Sequence, residues 1–366
     1  MDGGMTGPGG DAPALAEPGT ANDRLRQMAA ERPDTGIAAV AAEVAGRLVT
    51  IRLKLEAESI WGSIKDRTAT SLIASILDRL SGAAPVVVES TSGNLGVALA
   101  ALCASLRLRF IAVVDPTLPP VLADRMRDYG AELDVVTAGD RRGYLAARIR
   151  RVGELCARLP NAVWTDQYHN PANPRAHYEG TGLELDRQLG PAMDAVFVAV
   201  STGGTLAGVG RYMHRFRPDV RVVAADVAGS QVFGPATGRR LLTGIGASRR
   251  STFLRPADYD DVQIVEDDAA IACCHALAES VGLCVGGSSG AVLAGCLRYL
   301  AAHPEINAPI CLCPDGGDRY LHSLYNPVWL TRHAVKLSDD MLRPAPGVAP
   351  ARFGRLQTDP YTQETP

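Results

Sequence analysis

From residue 49 onward, short apolar runs alternate with longer segments whose apolar residues recur at helical spacing. The runs at 49–55, 85–89, 107–114, 132–136, 162–164, 195–200, 220–225 and 309–312 predict strands. The segments 65–80, 94–105, 119–129, 143–158, 206–216, 267–281 and 289–302 carry the i, i+3, i+4 pattern of helices. Such alternation predicts an α/β fold of mainly parallel sheets with helices on both faces. Residues 1–23 are rich in Gly, Pro and Ala, and 336–366 lack periodicity, with five prolines from Arg343 on. Both ends therefore predict disordered tails.

A chain of 366 residues, at about 150 per domain, suggests two domains. Hydrophobic residues are 46% and charged residues 21%, as in globular proteins, and the net charge is −3. That balance gives no bulk attraction to nucleic acid or an anionic membrane, so neither is expected as a partner. The start of the chain has no basic, then apolar, secretory pattern, and no apolar run is long enough to span a membrane. A reduced, cytoplasmic protein is expected. Cys103, Cys156, Cys273, Cys274, Cys284 and Cys296 lie in apolar stretches and read as small buried hydrophobes. Cys311-Leu-Cys313 has no suitably spaced companions for zinc, so no metal is expected.

Four turns carry the chemistry. Ser201-Thr202-Gly203-Gly204-Thr205 lies between a predicted strand and a helix. Glycines there let backbone N–H groups converge on an anion, and the helix N-terminus adds favourable potential. It is a phosphate cup in form, although a nicotinamide site with Asp226 as its acid is a rival reading. Ser90-Thr91-Ser92-Gly93-Asn94 also joins strand to helix and suits a carboxylate and a polar ring substituent. Gly286-Gly-Ser288-Ser289-Gly290 opens a third helix. In Gly62-Ser63-Ile64-Lys65-Asp66, Ser63 and Asp66 have capping-box spacing. That places Lys65 in a first helical turn, where the helix dipole favours a neutral amine. A neutral amine is what Schiff-base chemistry needs.

Together the lysine, phosphate cup, carboxylate turn and lone hydroxyl make a site for pyridoxal phosphate. The order of these motifs resembles the cysteine synthase family of fold type II pyridoxal-phosphate enzymes, over about 49–325. The resemblance implies two three-layer αβα domains of twisted, mainly parallel sheets, similar to the tryptophan synthase β chain. The larger, cofactor-binding domain would take 24–60 and 166–335, and a smaller mobile substrate domain 61–165. It implies that Lys65 carries the cofactor and moves the Cα proton. Asn94 would meet the ring hydroxyl, Ser201, Thr202, Gly203, Gly204 and Thr205 the phosphate, and Ser288 the pyridine nitrogen. A neutral hydroxyl at that nitrogen makes the ring a moderate electron sink, which suits β-replacement through an aminoacrylate. Ser90, Thr91, Ser92, Gly93 and Asn94 would hold the substrate carboxylate.

Further stretches, among them 143–148, 229–234, 244–249 and 314–320, are similar to the branch that joins O-phospho-L-serine to L-glutamate. That branch supplies 2,3-diaminopropionate for siderophores and peptide antibiotics. The similarity places Arg148, Tyr168 and Ser201 at the phosphoserine. A cysteine or S-sulfocysteine synthase is the same-fold alternative, and a homodimer is implied. Two departures stand out: Ser59-Ile-Trp-Gly-Ser63 replaces the usual Asn-Pro-Gly-Gly-Ser, and Asp34-Thr35-Gly36 stands nearest to the usual early Thr-Pro.

Overall fold

A computed structural model describes residues 20–80, 84–139, 143–236, 238, 240–356, 359 and 361. Its strands are β1 (Ile37–Val44), β2 (Arg47–Leu55), β3 (Val86–Ser90), β4 (Arg109–Val114), β5 (Glu132–Val135), β6 (Ala162–Trp164), β7 (Ala195–Ala199), β8 (Arg221–Val227), β9 (Asp261–Val265), β10 (Pro309–Cys313) and β11 (Arg352–Arg355). Its helices are α1 (Ala21–Ala30), α2 (Lys65–Ile76), α3 (Asn94–Leu106), α4 (Pro120–Asp128), α5 (Leu145–Arg158), α6 (Ala172–Ala176), α7 (Leu183–Leu189), α8 (Gly204–Phe216), α9 (Asp267–Val281), α10 (Gly287–Ala302) and α11 (Pro327–Arg332).

The strands form a seven-stranded sheet, β11-β1-β2-β10-β7-β8-β9, and a four-stranded sheet, β5-β4-β3-β6. The small sheet is wholly parallel. In the large one, β2 to β9 run parallel, and β11 and β1 add antiparallel strands at one edge. Strands β3 and β10 are buried at every position, as strands covered on both faces must be. Helices α9 and α10 pack on one face of the large sheet, and α7 and α8 on the other. On the small sheet, α2, α3 and α4 cover one face and α5 the other. This is the expected fold type II architecture.

The β1–β2 hairpin turns on two residues, Ala45 (φ 51°) and Gly46 (φ 76°). Positive φ at both positions matches the turn to the right-handed twist of the strands. Alanine is no turn signal, so β1 was not among the predicted strands.

Three expectations are corrected. Of the predicted tail 336–366, 352–355 forms β11, which pairs with β1, and Phe353 enters the core. The pairing partner lies some 300 residues away, and no local pattern announces it. Residues 20–23 also belong to structure rather than to a tail: Thr20 caps α1 with Asp23 in a capping box. Residues 1–19 lie outside the described residues. Cys284, expected in the core, is exposed.

A buried ionic cluster anchors α2. Arg67 on α2 donates to Glu56 and Glu184, at 2.7 Å each. Lys54 Nζ donates to Glu184 and the Thr35 carbonyl at 2.5 Å, and to Gln188 at 2.7 Å. Desolvation alone would raise Glu184, but Arg67 and Lys54 hold its carboxyl at about 2. The Thr35 of the departing Asp34-Thr35-Gly36 segment closes the cluster through its N–H to Glu184 and its hydroxyl to Glu56.

Candidate active site

Lys65 opens α2 directly after a tight turn at Gly62 (φ 82°), where an added Cβ would come within 2.6 Å of Arg319 NH2. The Ile64 N–H donates to the Pro314 carbonyl at 2.8 Å, which ties the turn to the end of β10. The capping box expected here does not form. Asp66 Oδ2 instead accepts the Trp61 N–H at 2.6 Å, because the Ser59–Ser63 turn folds that amide over the carboxylate. The Lys65 amine is nonetheless lowered, to about 8 from 10.5. Burial is the main cause, and Asp315 opposes it.

The turn after β3 is held from behind by Glu89, which is wholly buried. Its carboxylate accepts the Ser90 N–H at 2.8 Å, the Gln167 N–H at 3.2 Å and the Thr165 hydroxyl. The Gln167 side chain returns a bond to the Ser90 carbonyl at 2.6 Å. Burial raises Glu89 to about 7. Thr91 Oγ1 accepts the N–H groups of Gly93 and Gly96 at 3.2 and 3.0 Å, which leaves the turn open toward the cavity. Ser90 Oγ is buried there without a partner. Asn94 is pinned at both ends of its amide: Nδ2 donates to Asp315 and Oδ1 accepts from Arg319.

The cup after β7 is shaped by close approaches. A Cβ on Gly203 (φ 90°) would lie 2.2 Å from Ser251 Oγ, and one on Gly204 would lie 2.0 Å from Asn173 Oδ1. Only glycine fits either place. The Gly204 N–H donates to Thr202 Oγ1 at 3.4 Å, and the N–H groups that follow it in the first turn of α8 have no intrahelical acceptor and remain for an anion. Ser201 donates to the Gly246 carbonyl at 3.0 Å. Thr202 Oγ1 accepts from Asn173 at 3.2 Å. His177 Nε2 lies 3.1 Å from Thr68 Oγ1 and 3.3 Å from Thr205 Oγ1, so it links α2 to the cup. Burial holds this ring well below its ordinary pKa, and therefore neutral.

Arg148 on α5 is buried beside Asp115, with Nε 3.2 Å from Oδ2. Its Nε and NH1 make no hydrogen bond. The Arg249 guanidinium lies over the Tyr168 ring, 5.4 Å from its centroid, and burial, with Glu89, raises the Tyr168 hydroxyl while the charges of Arg148, Arg249 and Arg240 act against that rise.

One cavity collects Lys65, Ser90, Thr91, Ser92, Gly93, Asn94, Arg148, Tyr168, Ser201, Thr202, Gly203, Thr205 and Ser288. Gly204 alone among the expected residues is not in its wall, being packed on Asn173. Ser288, the second residue of α10, is buried and makes no cap bond. Asp315, Gln167 and Thr243 also line the cavity and were not among the expected site residues. Asp315 had a signal, since it stands two residues beyond the end of a buried strand. Asp226 does not line the cavity, and its carboxylate accepts the Val227 N–H at 2.8 Å, so it serves no nicotinamide ribose.

The donor set fits pyridoxal phosphate. The glycine cup with its helix N-terminus suits the phosphate, a desolvated amine lies in the same cavity, and buried donors on Ser90 and Arg148 are unspent. Residues 37–313 match the family described as pyridoxal-phosphate dependent enzyme, and the chain belongs to that family. It is a fold type II β-replacement enzyme whose cofactor is pyridoxal phosphate. It is similar to N-(2-amino-2-carboxyethyl)-L-glutamate synthase of Ralstonia nicotianae, at 44% identity over 292 residues, 79% of this chain and 86% of that protein. The synthase of the same name from Cupriavidus metallidurans is 40% identical over 301 residues, 81% of this chain and 88% of that protein. In fold it resembles a hydrogen sulfide-producing enzyme of Fusobacterium nucleatum, with a TM-score of 0.81 at 23% identity, over 92% of this chain and 98% of that one.

Proposed function

We propose that this chain replaces the phosphate of O-phospho-L-serine with the amine of L-glutamate. The products are N-(2-amino-2-carboxyethyl)-L-glutamate and inorganic phosphate, as the names of its relatives suggest. The observation that carries the reading is the buried Arg148 guanidinium in the cavity wall, which lies against Asp115 at Nε but makes no hydrogen bond through Nε or NH1. A permanently charged fork suits a phosphate dianion, which an acetyl ester would not require.

In this reading Lys65 binds the cofactor, and the Ser201–Thr205 cup holds its phosphate. Asn94 meets the ring hydroxyl and Ser288 the ring nitrogen. Bound there, pyridoxal phosphate supplies an electron sink next to the substrate α-carbon. The Ser90–Asn94 turn holds the substrate carboxylate, with Glu89 fixing its distance from Gln167. Lys65 takes the Cα proton and later returns it. The Cβ–O bond breaks and phosphate leaves with the bonding pair. The glutamate nitrogen then forms the Cβ–N bond and loses a proton. Arg148, Tyr168 and Ser201 receive the phosphate. The unit built on the four-stranded sheet, about 61–165, is the smaller, moving domain, and the working form is a cytoplasmic homodimer. The product would serve as a precursor of 2,3-diaminopropionate in siderophore or peptide biosynthesis.

Mass spectrometry of the products from O-phosphoserine with glutamate, sulfide or thiosulfate tests this reading. The glutamate adduct, absent when O-acetylserine is the donor, is the expected result. Turnover with sulfide and O-acetylserine alone would replace it with a cysteine synthase.

A further inference from the structure

The inner cavity shares Ser92, Arg148, Tyr168, Ser201 and Tyr320 with an outer chamber of about 1140 Å³. Four arginines line that chamber, Arg148, Arg240, Arg319 and Arg332, against one carboxylate, Asp115. Two are already engaged. Arg148 pairs with Asp115, and Arg319 donates to Asn94 and to the Trp61 carbonyl. Arg332 is exposed on α11.

Arg240 differs from these. It is half-buried, and its NH2 donates to Ser248 Oγ at 3.1 Å. Among the described residues no carboxylate lies within ion-pair distance of it. Its NH1 lies close over Gly246, where an added Cβ would come within 2.5 Å. Gly246 is in turn tied to the cup, donating to the Val200 carbonyl at 2.7 Å and accepting the Ser201 hydroxyl at 3.0 Å. A guanidinium with no carboxylate in contact, although its charge reaches the buried Asp226, is thus held just outside Ser201. It lines the outer chamber and not the inner cavity.

We propose that Arg240 binds a carboxylate of the incoming nucleophile, and so selects a dicarboxylic amino acid as the second substrate. The proposal rests on the reading of glutamate as that substrate. The donor occupies the inner cavity, and its phosphate meets Arg148 at the boundary. The nucleophile enters from the outer chamber, where Arg240, unlike the exposed Arg332, is a half-buried cation next to the inner cavity. Sulfide is small and would need neither this volume nor a guanidinium at its wall. Partial burial beside a glycine reduces solvent screening, which strengthens a bidentate carboxylate contact.

The test compares Arg240→Gln and Arg240→Lys holoenzymes with the unaltered protein. Binding of O-phosphoserine alone is followed by the cofactor absorbance, and steady-state kinetics are measured with glutamate and with glutamine. The donor titration should stay within about twofold, while KM for glutamate rises about tenfold or more in Arg240→Gln. Arg240→Lys should recover part of that loss, and the preference for glutamate over glutamine should fall. An unchanged KM for glutamate, or an equal weakening of the donor titration, overturns the proposal. If the unaltered enzyme forms no glutamate adduct at all, it is the reading of the second substrate that fails.

Discussion

Asn94 Nδ2 donates to Asp315 Oδ2 at 2.6 Å, and the same oxygen accepts the Tyr320 hydroxyl at 2.6 Å. The bond joins the first residue of α3 to the segment after β10, so it spans the cavity between the two sheets. Asp315 also favours the charged form of Lys65. Burial raises Asp315 itself, while Tyr320 and Asn94 act to lower it.

Asp315→Asn should therefore keep the fold but lower the Lys65 pKa further below about 8. The rate at which the apoenzyme gains visible colour with pyridoxal phosphate, measured across pH, should have its midpoint moved to lower pH. Lys65→Ala should gain no such colour and lose at least about 10³-fold in activity. An unmoved midpoint in Asp315→Asn would sever the link between the two residues.

Glu89 makes a stability prediction whose sign follows from its shift. Its pKa is about 7 in the folded protein and 4.5 ordinarily, so the native state binds more protons than the unfolded chain between those values. Stability should fall as pH rises from about 4.5 to about 7, by on the order of 3 kcal/mol. Glu89→Gln should flatten that slope in urea titrations. It should also raise KM for the donor, because the Ser90 turn loses the charge that holds it.

Arg148→Ala should raise KM for O-phosphoserine about tenfold or more, and affect O-acetylserine much less. Equal effects on both donors would make Arg148 a partner of Asp115 and nothing more. Arg148→Lys keeps a charge beside Asp115 but loses the fork, and should show the same selectivity in weaker form.

The cluster under α2 predicts the opposite pH behaviour. Glu184 is held at about 2 rather than 4.5, so its contribution is present above about 4.5 and is lost as pH falls toward 2. Glu184→Gln should cost about 3–5 kcal/mol at neutral pH, since it leaves Lys54 and Arg67 short of a buried counter-charge. Chemical denaturation at pH 7 measures this directly. A change under about 0.5 kcal/mol would show that the cluster contributes no net stability.

The sequence by itself determined the alternating elements and the glycine turns, because those signals are local. A strand buried on both faces is mostly apolar, as the Val86–Val88 run of β3 and all of β10 are. At Gly203 and Gly204 a Cβ would collide with Ser251 and Asn173, so those turn positions must be glycine. That Lys65, Asn94 and Ser288 meet in one cavity wall was legible because each stands beside a glycine turn at the end of a strand or the start of a helix. The tertiary structure decided what depends on partners distant in the chain. It set β11 against β1, and turned Asp66 from a cap for Ser63 into an acceptor for Trp61. It also placed Asp315 beside Asn94, 221 positions away, and set Arg240 above Gly246 with no carboxylate in contact. Side-chain charges acquire their energies from what surrounds them, and desolvation and pairing at those places exist only once the two sheets have come together.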